Sequence, residues 1–145
     1  MTLPWPAGIQ VETDPAAENP AVAQALAEDV AARFAPRQER PFSILARRPE
    51  GTLAGGLNGV SHWGWVYVRH VFVAEDWRGR GLGRRLLQEA EGLARQRGCT
   101  GLYLDTFDPR AVAFYQGLGY LPCGVIEDFP PGHRRTFLCK RIEPD

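Results

Sequence analysis

A chain of 145 residues with 44% hydrophobic content is the right size for one globular domain with a packed core, which excludes a disordered segment and a small module stapled by disulfides or metal. Seventeen Lys and Arg balance seventeen Asp and Glu, so the formal charge is zero and a broadly basic, nucleic-acid-binding surface is not expected. Cys99, Cys123 and Cys139 are odd in number and include no Cys-x-x-Cys pair, which predicts neither a disulfide framework nor a metal site.

The opening residues carry no basic leader, and no apolar run approaches the roughly 20 residues of a spanning helix, so a cytoplasmic protein with no membrane partner is expected. Gly8 to Thr13 alternates apolar and polar residues and predicts a first strand. Asp14-Pro15 or Asn19-Pro20 then offers a cap with proline at the first helical position, opening a helix that runs to about Phe34 with Val22, Leu26 and Val30 as its apolar stripe. Pro36 and Pro41 open a loop suited to the rim of a cleft.

Phe42 to Arg47 and Thr52 to Val60 predict two strands joined at Pro49-Glu50-Gly51. Trp63 to Ala74 predicts a third of this group, long enough to tolerate a bulge. Strict alternation there places Trp65, Tyr67, Arg69, Val71 and Val73 on one face, and Val66, Val68, His70 and Phe72 on the other. Trp63, Trp65 and Tyr67 suit either a pocket lining or the core.

Next comes Trp77 to Leu87, which packs three glycines and four arginines onto the start of a helix. Glycines allow a tight turn and close approach of a ligand, and the first helical turn presents unpartnered N–H groups with partial positive charge, so the segment predicts a phosphate site. It is not the nucleoside-triphosphate loop Gly-x-x-x-x-Gly-Lys-Ser/Thr, because no Lys-Ser or Lys-Thr pair exists in the chain. Nor is it the dinucleotide fingerprint, since Arg84 stands where a glycine is needed. The helix behind it has the stripe Leu82, Leu86, Ala90 and Leu93, pairs Glu91 with Arg95 on its polar side, and ends at Gly98. A short strand at Leu102 to Thr106, a helix capped by Asp108-Pro109, and strands near Leu121 to Ile126 and Arg134 to Ile142 complete the chain.

The motif Arg78-x-x-Gly81-x-Gly83, followed about thirty residues later by Ala111, Phe114-Tyr115 and Gly119-Tyr120, resembles the two signatures of the GNAT superfamily of acyl-CoA-dependent N-acetyltransferases. The resemblance covers nearly everything from Thr52 onward and agrees with the element order read above. It implies one domain spanning 1–145 with an α/β (α+β) fold. Its central sheet would be mixed and mostly antiparallel, with six to seven strands splayed after the fourth and helices on both faces.

Function is implied in the same way: transfer of an acetyl group from acetyl-CoA to a small-molecule or peptide amine by direct attack on the thioester, in a chain that could form a homodimer. The pyrophosphate is expected on the loop Arg78, Gly79, Arg80, Gly81, Leu82, Gly83 and Arg84, and the pantetheine arm along Val71, Phe72 and Val73. Tyr115 is the implied proton donor to the departing thiolate, with His70, Glu127, His133 or a water chain as the base. Asp108 stands where many members carry a coenzyme-contacting asparagine; a carboxylate does not donate as an amide does, so helix capping is its better role. Two other functions compete. Gly79-x-Gly81-x-Gly83 with Asp105 at the end of the next strand mimics an adenosylmethionine-dependent methyltransferase, although too little chain follows for a doubly wound fold, and a non-catalytic CoA-binding module would keep the same loop.

Overall fold

The structure is a computed structural model that describes residues 1–143. Met1–Ala35 and the described residues from Pro36 onward form two compact units. In the first, helix α1 (Pro20–Arg33) starts at the second of the two candidate caps: the Asn19 side chain accepts the Ala21 N–H and Pro20 occupies the first turn. Asp14 instead closes a local turn by accepting the Ala16 N–H. Residues 8–13 do not form the expected strand. Gly8 adopts φ +84°, the Ile9 N–H turns back to the Pro6 carbonyl, and alternation without a paired neighbour does not make a ladder.

The second unit is built on β1 (Arg40–Arg47), β2 (Leu53–His62), β3 (Trp65–Val73), β4 (Gly101–Thr106), β5 (Leu121–Glu127) and β6 (Arg134–Arg141). Helix α2 (Leu82–Gln96) joins β3 to β4, and α3 (Pro109–Gly117) joins β4 to β5. The six strands lie in the order β1-β2-β3-β4-β6-β5, antiparallel except for the β3–β4 pair. A methyltransferase of the doubly wound type needs the reverse, a mostly parallel sheet. Val66, Val68, Leu102, Leu104 and Leu138 line one face and bury Leu86, Leu87, Ala90 and Ala94 of α2 together with Tyr115 and Tyr120. Each such aliphatic side chain contributes about 1.5–3 kcal/mol relative to exposure.

Two expectations change within this unit. Glu91, predicted to pair with Arg95 at the surface, is buried and accepts a charge-assisted hydrogen bond from Lys140 of β6. The same ammonium donates to the Leu118 carbonyl at 2.8 Å, tying α2, β6 and the end of α3 together. Alternation in β3 also fails beyond Val68. Asn58 of β2 faces His70 and Gly59 faces Val68, so Arg69 is an extra residue, a β-bulge. The bulge exchanges the faces: Val71 and Val73 join Val66 and Val68 against the core, while His70 and Phe72 are exposed.

The β3–β4 ladder is short. It pairs Trp65, Tyr67 and the residue between them with Gly101 to Tyr103 and then stops, so the sheet opens between the second half of β3 and the rest of β4. This is the expected splay, on the third strand of six because the segment at 8–13 contributes none.

Candidate functional site

A cleft of about 610 Å³ occupies the α2–α3 side of the split. Of the residues expected to hold the coenzyme, Val71, Phe72 and Val73 line it from β3, and Arg78, Gly79, Gly81, Leu82, Gly83 and Arg84 line it from the loop and first turn of α2. Arg80 does not; its guanidinium lies over the Trp77 ring at 4.0 Å. Arg78 donates from Nε to the Val73 carbonyl at 3.2 Å, so two of the four arginines shape the loop. Arg48 clamps the preceding turn by donating to Asp76 at 2.5 Å, a bond that holds the Asp76 carboxyl below its usual range.

Backbone conformation supplies the binding surface. Gly81 caps α2 at φ +84°, in the left-handed region that side chains rarely adopt, and no side chain caps this end. The first intrahelical bond runs from the Arg85 N–H to the Gly81 carbonyl, leaving the N–H groups of Leu82, Gly83 and Arg84 without helical acceptors. The first turn holds no acidic residue, and a Cβ added at Gly79 or Gly81 would meet nothing within 4 Å. An anionic diphosphate therefore fits here. Gly83 is small for another reason: a Cβ there would come 3.2 Å from the Phe114 ring, through which α2 approaches α3. Arg110 of α3, which sequence reasoning did not single out, adds a cation to the same cleft.

A chamber of about 550 Å³ meets the cleft from the other side of the split. Val71, Asp108, Ala111 and Tyr115 line both spaces. Tyr115 is 8% exposed, and burial, reinforced by the Asp105 charge, pushes its hydroxyl above the ordinary tyrosine value. Asp108 accepts the Arg110 N–H and so caps α3 as expected.

The chamber's floor is a polar network whose members sequence reasoning assigned elsewhere or passed over. Tyr67 donates to Asp105 at 2.8 Å and Arg135 pairs with the other carboxylate oxygen at 3.3 Å. The Tyr67 hydroxyl is raised by burial and then by that bond to Asp105, and its ring stacks on Tyr103 at 4.8 Å between centroids. Of the aromatic trio weighed as pocket or core, Tyr67 lines the chamber, Trp65 covers Gly101, and Trp63 sits in the β2–β3 turn. Among the candidate bases His70 lines the chamber, within 3.3 Å of Asn58. Glu127 and His133 line a separate cavity of about 650 Å³ between α3 and the β5–β6 hairpin, where Glu127 pairs with Arg134 at 3.1 Å. No group of metal-ligating side chains is assembled among the described residues.

Comparison with known proteins agrees with this fold. The model of the acetyltransferase (GNAT) family matches residues 9–120. The chain is 38% identical over 131 residues to the acetyltransferase Atu2258 of Agrobacterium fabrum, covering 90% of this chain and 92% of that one. It is 40% identical over 109 residues to blasticidin-S acetyltransferase of Streptomyces morookaense, covering 72% and 80% respectively. An acetyltransferase crystal structure from Bacillus cereus superposes with a TM-score of 0.85 at 28% identity, over 92% of this chain and 98% of that one.

Proposed function

The chain belongs to the acetyltransferase (GNAT) family and moves an acetyl group from acetyl-CoA to an amine, and we propose that the open split between β3 and β4 is where it does so, with Tyr115 as proton donor. The observation that carries this reading is that Tyr115 lines both the coenzyme-sized cleft and the chamber beyond it. Acetyl-CoA, when bound, supplies the acetyl group as an activated thioester.

The rest is the work of this chain's own groups. Main-chain N–H groups of Leu82, Gly83 and Arg84 hold the diphosphate, with Arg84 and Arg110 adding charge, while Arg78 and Arg80 keep the loop in shape. Beyond Tyr67, the side of β3 facing the gap has no ladder partner, so main-chain groups of Val71, Phe72 and Val73 are placed to hold the coenzyme arm and to face the charge that develops on the carbonyl oxygen. The amine attacks from the chamber, where His70 accepts its proton. Tyr115, kept protonated by burial and by Asp105, delivers a proton to the departing sulfur.

A single working domain, a small-molecule or peptide acceptor and a cytoplasmic setting belong to the same proposal. They are supported by a family match that runs across both units and by three free cysteines. No helix among the described residues is long and apolar enough to cross a membrane. Homodimer formation is also proposed, because β5 is an edge strand that leaves Leu121, Val125 and Ile126 exposed; a monomeric mass by sedimentation velocity would remove it.

The test is a panel of amines with acetyl-CoA, read as free thiol, for the native enzyme and Tyr115→Phe. Slower turnover with little change in acetyl-CoA affinity is expected. An undiminished maximal rate would rule Tyr115 out as donor.

A further inference from the structure

The charged groups facing the chamber are Arg69 and His70 from β3, Asp105 from β4, Asp108 at the start of α3 and Arg135 from β6. Both anions are engaged. Asp105 accepts from Tyr67 on one oxygen and pairs with Arg135 on the other, while Asp108 caps α3. Arg135 pairs with Asp105 through one terminal nitrogen, lies over the Phe129 ring at 4.1 Å and keeps its Nε buried without a hydrogen-bond partner among the described residues. Arg69 differs from all of these. It makes no ion pair or side-chain hydrogen bond among the described residues, and its guanidinium is 5.8 Å from the Tyr67 ring centroid. It is also the residue that the bulge inserts into β3, and bulges beside active sites serve to re-aim a side chain.

An ammonium group entering this chamber finds Asp105 already ion-paired and Asp108 already capping α3 through one oxygen, whereas a carboxylate finds a guanidinium with five donors in a planar fork and no ion pair among the described residues. The chamber volume of about 550 Å³ suits a small molecule. We infer that the acceptor is a small amine that itself carries a carboxylate, as an amino acid does, and that Arg69 reads that carboxylate. This rests on the chamber being the acceptor's side of the split, as proposed above.

The experiment compares phenylalanine, phenylalaninamide and phenethylamine, which share an amine and a ring and differ in the acid. Free-thiol release gives kcat/KM for each, and calorimetry on the enzyme–coenzyme A complex gives their binding without turnover. The acid is expected to exceed both analogues that lack the carboxylate by at least about tenfold in kcat/KM, the size of one charge-assisted contact. Arg69→Gln should collapse that ratio toward one, and Arg69→Lys should restore part of it, with coenzyme A binding as the check of folding. Equal or better use of the amide, or a ratio unmoved by Arg69→Gln, would overturn the inference. Should none of the three release thiol while the acid still binds more tightly than the amide, the roles proposed at the split would fall and the carboxylate reading would stand.

Discussion

The two spaces that meet at Tyr115 are built from different materials. The phosphate end of the cleft proposed for the coenzyme is built from one local segment, the loop and first helical turn between Arg78 and Arg84, which offers main-chain N–H groups exposed by glycine conformation. The chamber takes single side chains from β3, β4, α3 and β6, held by a network centred on Asp105. Recognition by backbone is indifferent to most side-chain changes and sensitive to conformation. Recognition by side chains is the reverse, which suits a family in which one co-substrate is shared and the acceptor varies.

The sharpest way to break this division is at the boundary itself. Tyr115→Phe should lower the maximal rate on the order of 10²- to 10⁴-fold, the usual range for a lost general acid, while leaving both binding constants nearly intact; stopped-flow thiol release beside calorimetry separates these effects. If the cleft acts through its backbone and potential, Gly81→Asp should weaken acetyl-CoA binding on the order of 10- to 100-fold through one like charge near the phosphates. Gly81→Asn has a similar shape and tolerates the left-handed conformation, so it should lose much less. Equal losses in a calorimetric comparison would assign the effect to strain, because the protein leaves the position open to a Cβ. A smaller and slower change concerns pH. Burial and Asp105 both raise the Tyr115 hydroxyl, so it stays protonated through an ordinary tyrosine's value of about 10 and its alkaline limb lies above that. A limb in kcat well below pH 10 that vanishes in Tyr115→Phe would contradict this.

The same contrast explains what could be read in the sequence. Local determinants were legible: the arginine-glycine loop announces a helix N-terminus that welcomes an anion, and Asp108-Pro109 announces the cap of α3. Tyr115 could be singled out as a candidate because its signature is also local. The chamber was not legible, since bringing Tyr67, Asp105 and Arg135 together depends on the β3–β4 and β4–β6 registers, which no periodicity reports. Val71, Val73, His70 and Phe72 were misplaced for a related reason: one inserted residue reverses which side of a strand faces the core, and a period-two reading has no means of detecting the insertion. Glu91 shows the same limit on a helix, because its partner Lys140 lies 49 positions away in the chain.

That last pair has a chemical consequence for a protein that handles acetyl thioesters. Lys140 is the chain's sole lysine, every other basic side chain except the histidines being arginine, and its ammonium is held between the Glu91 carboxylate and the Leu118 carbonyl. An amine fixed in that way is half-buried and already engaged with two acceptors, hence poorly placed to attack, and guanidinium groups do not compete for acyl carbon at neutral pH. The enzyme is thereby largely protected from acylating itself, and amine-directed labels should find little to react with beyond the α-amino group.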